Sequence, residues 1–312
     1  MRILFAGTPD IAVPSLQALA AQFEVVGVLT APDRKAGRGR SLQPSPVKAC
    51  ALELGLSVLQ PPRLGAQARE EAATLQADLL VVFAYGRIFG PKFLSLFPQG
   101  AINMHPSALP QFRGPSPISA ALLAGLETTA LTVQDVALEM DSGDILAQDP
   151  FLILPEDTTA SLTLRVAQEA APVLCRVVGQ FVEGTAVRQP QNHEEATYCH
   201  LVKKEDGLVD WNSSAAEIER CIRAYSPWPK ARTPFAGGDL ALLEAQVLPA
   251  QKTEDAPGTV LGVDNSLGIL IQTGDGVLAV TRLQAPARKP LGFREFLNGL
   301  DLEAGTRLGE TS

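Results

Sequence analysis

Arg2-Ile3-Leu4-Phe5-Ala6-Gly7-Thr8-Pro9-Asp10 opens the chain as a short apolar run, ended by a glycine, a proline and an acid. The run reads as a buried strand. Asp10 can cap a helix reaching about Gln22, with Pro14 in the first turn, where its missing N–H has no intrahelical partner to lose. The same alternation continues along the chain. Phe23 to Thr30 is a second apolar run, Pro46 to Leu54 a helix ended by Gly55, and Leu56 to Leu59 a strand. Ala66 to Gln76 reads as a helix, Asp78 to Phe83 as a β-rich run, and a short helix around Pro91 to Phe97 precedes the strand that ends at His105. Repeated strand–helix units predict an α/β fold with a doubly wound, mainly parallel, Rossmann-like sheet. It is not a dinucleotide-binding version. The first turn carries only Gly7, and neither Gly-x-Gly-x-x-Gly nor a phosphate-binding loop motif follows a strand.

A helix from about Ser161 to Glu183 is expected to close the first domain, residues 1–188, with a kink or break at Pro172. Residues 189–207 are polar and read as a linker. Ser213 to Tyr225 is a helix stopped by Pro227-Trp228-Pro229. The pattern then turns β: Leu240 to Leu248, Gly258 to Val263, Gly268 to Thr273 and Val277 to Leu283, separated by Gly-rich and Asp-rich turns. A small C-terminal β-barrel of OB type is expected over 208–312, and by analogy such barrels often bind nucleic acid.

With 312 residues, 46% of them hydrophobic and 19% charged, the chain has the composition of a compact folded protein with room for two domains. No apolar run approaches the ~18 residues of a membrane span. Ile3 to Ala6 is broken by Gly7-Thr8-Pro9 before a secretory core forms, so a cytoplasmic protein is expected. Cys50, Cys175, Cys199 and Cys221 are too scattered for a zinc site or disulfide framework and read as idle thiols. A net charge of −8 is unpromising for a nucleic-acid partner, but its distribution matters more. Between Ala31 and Lys48, Arg34, Lys35, Arg38, Arg40 and Lys48 face the single acid Asp33. A local cationic loop of this kind, spaced by Gly37 and Gly39, can grip RNA phosphates on an otherwise acidic body.

Asn103 and His105 stand two residues apart at the end of an apolar run, which on a strand puts both on one face, with Ile102 and Met104 on the other. Pro106-Ser107 turns the chain at once, so the pair sits at a strand's carboxyl end, where open α/β sheets build their sites. Asp141, before Ser142-Gly143, can supply a carboxylate to the histidine. An amide donor, an imidazole and a carboxylate, without a serine or cysteine nucleophile, suggest acyl transfer straight to an amine. No metal is called for.

The pattern Asn103-x-His105-x-Ser107-x-Leu109-Pro110-x-x-Arg113-Gly114, followed by Asp141-Ser142-Gly143-Asp144-Ile145, resembles the signature of the folate-dependent formyltransferase family. Phe5 to Asp10, the loop Pro32 to Arg40 with Pro44 to Lys48, Glu219 to Pro229 and Gln272 to Gly276 extend the resemblance nearly end to end. They point to the branch that acts on charged initiator tRNA. The resemblance implies 10-formyltetrahydrofolate as co-substrate and methionyl-initiator tRNA as acceptor, with Asn103, His105 and Asp141 catalytic. It also implies folate contacts from Ser107, Ala108, Leu109 and Pro110, in a cleft that Phe83 to Arg87 are expected to share. Ala108 departs from the family's usual Ser-Leu-Leu-Pro. The tRNA contacts are expected from Arg34, Lys35, Arg38 and Arg40, and nothing in the sequence points to a membrane or an obligate protein partner. A formyltransferase for a nucleotide-linked amino sugar, a formyl hydrolase and a non-catalytic RNA-binding protein are the alternatives.

Overall fold

The structure is a computed structural model that describes residues 1–36, 41–235, 237–249, 255–299 and 302–309. It divides into two compact units. One comprises Met1–Pro117, Thr128–Leu152 and Leu162–His200, the other Ile118–Glu127, Ile153–Ser161 and Leu201–Ser312.

The strands of the first unit are β1 (Arg2–Gly7), β2 (Glu24–Leu29), β3 (Arg34–Ala36), β4 (Ser41–Gln43), β5 (Val58–Leu59), β6 (Leu79–Phe83), β7 (Ala101–His105), β8 (Thr128–Asp135) and β9 (Ile145–Leu152). Helices α1 (Val13–Gln22), α2 (Pro46–Glu53), α3 (Ala66–Thr74) and α4 (Pro91–Leu94) alternate with them, as expected. Seven strands form one sheet in the order β5-β2-β1-β6-β7-β8-β9. The pairings from β5 through β7 are parallel, and those of β8 with β7 and β9 are antiparallel. The mainly parallel, doubly wound sheet is thus borne out, and a two-stranded antiparallel edge extends it.

The central strands read as continuous apolar runs because both faces of a parallel sheet are covered. Ile3, Leu4, Phe5, Leu79, Leu80 and Val81 are completely buried. One layer of the core gathers Leu4, Ala6, Leu80 and Val82 with Tyr85, Phe89, Phe93 and Phe97. The four rings form a ladder with centroids 5.3, 5.3 and 5.9 Å apart, spacings at which aromatic faces and edges attract.

Helix α5 (Pro117–Leu123) follows β7, and α6 (Thr159–Glu183) follows β9. Of the kink or break expected at Pro172, the break does not occur, and α6 runs helical throughout. Pro172 lies on the exposed face, where water can meet the carbonyl that the ring deprives of its donor.

The second unit contains α7 (Ala215–Ala224), strands β10 (Ala231–Phe235), β11 (Gly238–Leu248), β12 (Val260–Asp264), β13 (Gly268–Gln272), β14 (Val277–Gln284) and β15 (Leu291–Gly292), and α8 (Phe293–Leu297). The strands pair antiparallel in the order β10-β11-β14-β13-β12, with β15 on β14. Ile218 and Ile222 of α7 join Leu240, Leu242, Ile269, Ile271, Leu278 and Val280 in its core. A capping box between Ser214 and Glu217 starts α7. Its last turn is held by Thr159, whose hydroxyl donates to the Ala224 carbonyl at 2.6 Å, and by Arg223, which donates to the Asp157 carbonyl at 3.1 Å.

Truncating a fully buried strand residue leaves a cavity in a close-packed layer. Leu80→Ala is expected to lower unfolding free energy by about 2–5 kcal/mol, measured by urea denaturation with an unchanged m-value.

Candidate active site

The site grows from the end of β7. Ile102 and Met104 are buried on one face of the sheet, while Asn103 is half-buried and His105 buried on the other. Asn103 pairs across the antiparallel edge with Gln134, and His105 with Thr132. Opposite residues share a face, so β8 adds two polar side chains, both essentially inaccessible, to the layer that carries Asn103 and His105.

After His105 the chain turns through residues 106–114, and hydrogen bonds from buried Ser107 and Thr132 and from exposed Gln148 fix this turn. The Ser107 hydroxyl donates to the Gln111 carbonyl at 2.6 Å, and Thr132 donates to the Ser107 carbonyl at 2.6 Å. Gln148 donates to the Leu109 carbonyl at 2.9 Å. Phe112 stands at φ +55°, and its carbonyl comes within 2.9 Å of His105 Nε2. A carbonyl only accepts, so Nε2 carries the hydrogen in this arrangement.

The other ring nitrogen, Nδ1, faces Asp141 Oδ2 at 3.6 Å. Asp141 reaches the site from the loop between β8 and β9, at φ +53°, a left-handed conformation that aspartate tolerates better than most residues. Its Oδ2 accepts from the backbone N–H of Gly114 at 2.8 Å, and its Oδ1 from the side-chain amide of Gln134 at 2.9 Å. Gly143 lets the loop close: a β-carbon there would lie 1.9 Å from the Asp135 carbonyl oxygen.

The three polar residues singled out in the sequence are therefore gathered at one strand end. Asn103 differs from the other two. Its side-chain amide makes no hydrogen bond among the described residues, so it is available to a ligand. Of the 107–110 segment, Ser107 and Leu109 are buried, leaving Ala108 and Pro110 partly open. Leu109 and Pro110 also border a groove of about 610 Å³ with Ile145, Gln148, Gln189 and Gln191. Arg113, from the motif that follows His105, is a buried side chain bonded to Gln191. Gln134 and Gln191 were not singled out at all. The polar alternation Thr132-Val133-Gln134 in an apolar strand was a usable signal for the first, whereas Gln191 lies in a wholly polar stretch that offers none.

The basic loop begins as a hairpin of β3 with β4. Arg34 is exposed at its start. The backbone of Lys35 pairs with that of Leu42, while Arg38 and Arg40 lie outside the described residues. Lys48 does not join the cationic surface freely. Its ammonium grips Asp33 at 2.7 Å, and Gln60 donates to the same carboxylate at 2.8 Å. The Gln60 hydrogen bond, then Lys48, hold the Asp33 carboxyl below its ordinary value. The anchor at the hairpin's base is thus intact across the neutral range and lost only as pH falls through that lowered value.

Among the described residues no group of side chains could hold a metal ion, and no helix is long and apolar enough to cross a membrane. The thiols of Cys50, Cys175, Cys199 and Cys221 are all raised by burial, which keeps them unreactive near neutral pH.

The formyl transferase family matches residues 1–178, and the formyl transferase C-terminal domain matches residues 201–301. The chain belongs to the formyl transferase family. Its full-length likeness is to methionyl-tRNA formyltransferases. It is 44% identical to that of Treponema denticola over 96% of this chain and 97% of the relative. It is 41% identical to that of Roseiflexus sp. (strain RS-1) over 100% and 96%. Among solved structures, an N-formyltransferase from Helicobacter canadensis, in complex with folinic acid and dTDP-3-aminofucose, shares the fold. Its TM-score is 0.66 at 19% identity, covering 89% of this chain and 98% of that one.

Two glycines offer a contrast in what a methyl group does. Gly143→Ala is expected to destabilise by about 1–3 kcal/mol, since the loop carrying Asp141 must shift. Gly179→Ala, mid-helix in α6 with no atom within 4 Å of the new carbon, should instead stabilise by about 0.5–1 kcal/mol. Thermal midpoints of the two variants check both signs.

Proposed function

We propose that this chain transfers the formyl group of 10-formyltetrahydrofolate to the α-amino group of methionyl-initiator tRNA, in the cytoplasm, by direct attack of the amine. One observation carries the reading. Asn103, His105 and Asp141 converge at one strand end, in a chain that matches methionyl-tRNA formyltransferases over nearly its whole length.

Free α-amino groups titrate near roughly 7.7–8.0, and an adjacent ester lowers that value, so neutral nucleophile is already plentiful near physiological pH. The barrier lies in the tetrahedral intermediate, whose formyl oxygen turns negative while the amine turns positive. Asn103 supplies its unengaged amide to that oxygen. His105 supplies the hydrogen on Nε2 once the formyl oxygen replaces the Phe112 carbonyl as its partner. Asp141, on the far side of the ring, fixes the orientation of the imidazole. As the intermediate collapses, the bond from the formyl carbon to the folate nitrogen breaks and the proton lost by the amine passes to that nitrogen. Each donor aimed at a developing oxyanion is worth about 2.7–4 kcal/mol. The segment Ser107 to Pro110 lies against the folate, chiefly through backbone groups and the open Ala108 and Pro110.

The tRNA is held by the basic stretch that supplies Arg34, Lys35, Arg38 and Arg40, and by the C-terminal β domain over 208–312. Guanidinium groups grip phosphates in bidentate fashion. The Asp33–Lys48–Gln60 anchor fixes where the hairpin leaves the fold.

His105→Ala and Asp141→Asn should each lower kcat by roughly a hundredfold or more, with tRNA affinity little changed. Asn103→Asp should be as damaging, because an anion then faces the oxyanion. Steady-state formylation kinetics with charged initiator tRNA decide this, and near-normal turnover in any of the three would remove that residue from catalysis.

The combined change Arg34→Ala, Arg38→Ala and Arg40→Ala should raise KM for the tRNA and flatten its salt dependence, leaving KM for the folate unchanged. Titrating initial rates against potassium chloride for wild type and variant gives both slopes. Identical slopes would exclude the hairpin from tRNA binding.

A further inference from the structure

Arg113 is a puzzle on electrostatic grounds. Its side chain is 1% exposed, and its hydrogen bonds go to neutral groups: Gln191 Oε1 at 2.7 and 3.2 Å, His193 Nδ1 at 2.9 Å and Tyr198 Oη at 3.3 Å. A buried guanidinium without a carboxylate in contact is costly. Tyr198 passes one contact on to Glu139 at 3.4 Å, at the exposed rim. The second carboxylate linked to Arg113, and the more buried, stands at the end of a longer chain of contacts. Gln191 donates from Nε2 to Gln134 Oε1 at 3.1 Å, and Gln134 donates from Nε2 to Asp141 Oδ1 at 2.9 Å.

The direction of this chain is not a matter of choice. A guanidinium only donates and a carboxylate only accepts. Gln191 must therefore turn its oxygen to Arg113, which leaves its NH₂ for Gln134. Two backbone carbonyls, of Asp141 at 3.0 Å and Gly143 at 2.6 Å, demand the same orientation of Gln191. Gln134 must then show its oxygen to Gln191 and its NH₂ to Asp141. Each amide dipole points the same way, from cation to anion. Gln134 and Gln191 are both at least nine-tenths buried, so water does not compete, and aligned hydrogen bonds reinforce one another in such surroundings.

We propose that Gln134 and Gln191 are positioning residues that join the buried cation of Arg113 to Asp141 through a one-way chain of hydrogen bonds. The chain engages Oδ1 from one side and leaves Oδ2 turned to His105 and the Gly114 N–H. It also fastens the polar stretch after α6 to the catalytic loop, because Gln191 belongs to the former and grips the backbone of the latter. The inference rests on the catalytic reading of Asp141 given above, and it adds the reason why that carboxylate holds one orientation.

Two variants at one position test it, with wild type as the control for the activity itself. Gln134→Met keeps the volume and removes the donor. Gln134→Glu keeps the acceptor for Gln191 but sets a second carboxylate against Asp141. Both are expected to lose about tenfold or more in kcat per folded molecule near pH 7.5, with KM for folate and tRNA changed by less than about threefold.

On acidification toward about pH 6, Gln134→Glu should regain activity relative to wild type, because a carboxyl pair at this distance readily takes up one shared proton and restores a donor to Asp141. Gln134→Met should not. A wild-type kcat in Gln134→Met, or pH profiles of both variants parallel to wild type, would overturn the chain while leaving the function intact. Absence of formyl transfer by wild type would instead overturn the function. A further measurement needs no variant to fold: selectively labelled wild-type protein should show slowly exchanging side-chain amide protons for Gln134 and Gln191. Solvent-rate exchange at both would also contradict the proposal.

Discussion

Everything distinctive about this fold's working end depends on how one carboxylate is held. Asp141 sits on a loop, in a left-handed backbone conformation, yet it must face a histidine on a central strand. Two donors from separate parts of the chain, the Gly114 N–H and the Gln134 amide, make that possible. Loops ordinarily lose precision to conformational entropy. Here the loop is held by the turn after β7, by strand β8 and by the polar stretch after α6, so the carboxylate acquires the fixity of the sheet.

The antiparallel edge explains why such support is available. Had β7 ended the sheet, its polar face would have met solvent or a helix. Strand β8 instead lays Thr132 and Gln134 directly beside His105 and Asn103. Thr132 props the Ser107 carbonyl and accepts from Gln148 at 3.1 Å, so the 107–110 segment hangs from the same edge that holds Asp141. One pair of strands thereby sets the geometry of both the residues proposed to react and the segment proposed to meet the folate. Of the three residues Asn103, His105 and Asp141, Asn103 has no side-chain hydrogen bond among the described residues, which suits the donor role proposed for it.

How much of this could be read beforehand follows from the range of the interactions. The parallel core was legible because Ile3 to Phe5 and Leu79 to Phe83 are continuous apolar runs between cappable helices, a local pattern with one common structural solution. Asn103 and His105 were legible because a spacing of two on a strand needs no tertiary knowledge, and Asp141 because a motif carried it. Strands β8 and β9 were harder: Ile145 to Leu152 mixes buried and exposed positions at a sheet edge. The unbroken helix at Pro172 was not legible, because the local penalty of a proline depends on whether its face is wet. Gln191 was out of reach. Its importance comes entirely from the buried cation and three acceptors that meet it at long range.

The central claim is that the site moves a formyl group from a reduced folate to the amine of a charged initiator tRNA. Mass analysis of the products formed from isotopically labelled 10-formyltetrahydrofolate is its most direct test, with methionyl-initiator tRNA, its deacylated form and a nucleotide-linked amino sugar offered together. The account predicts label on the methionine of the charged tRNA and on neither competitor. Label released as formate, or found on the amino sugar with the charged tRNA unmodified, would contradict it.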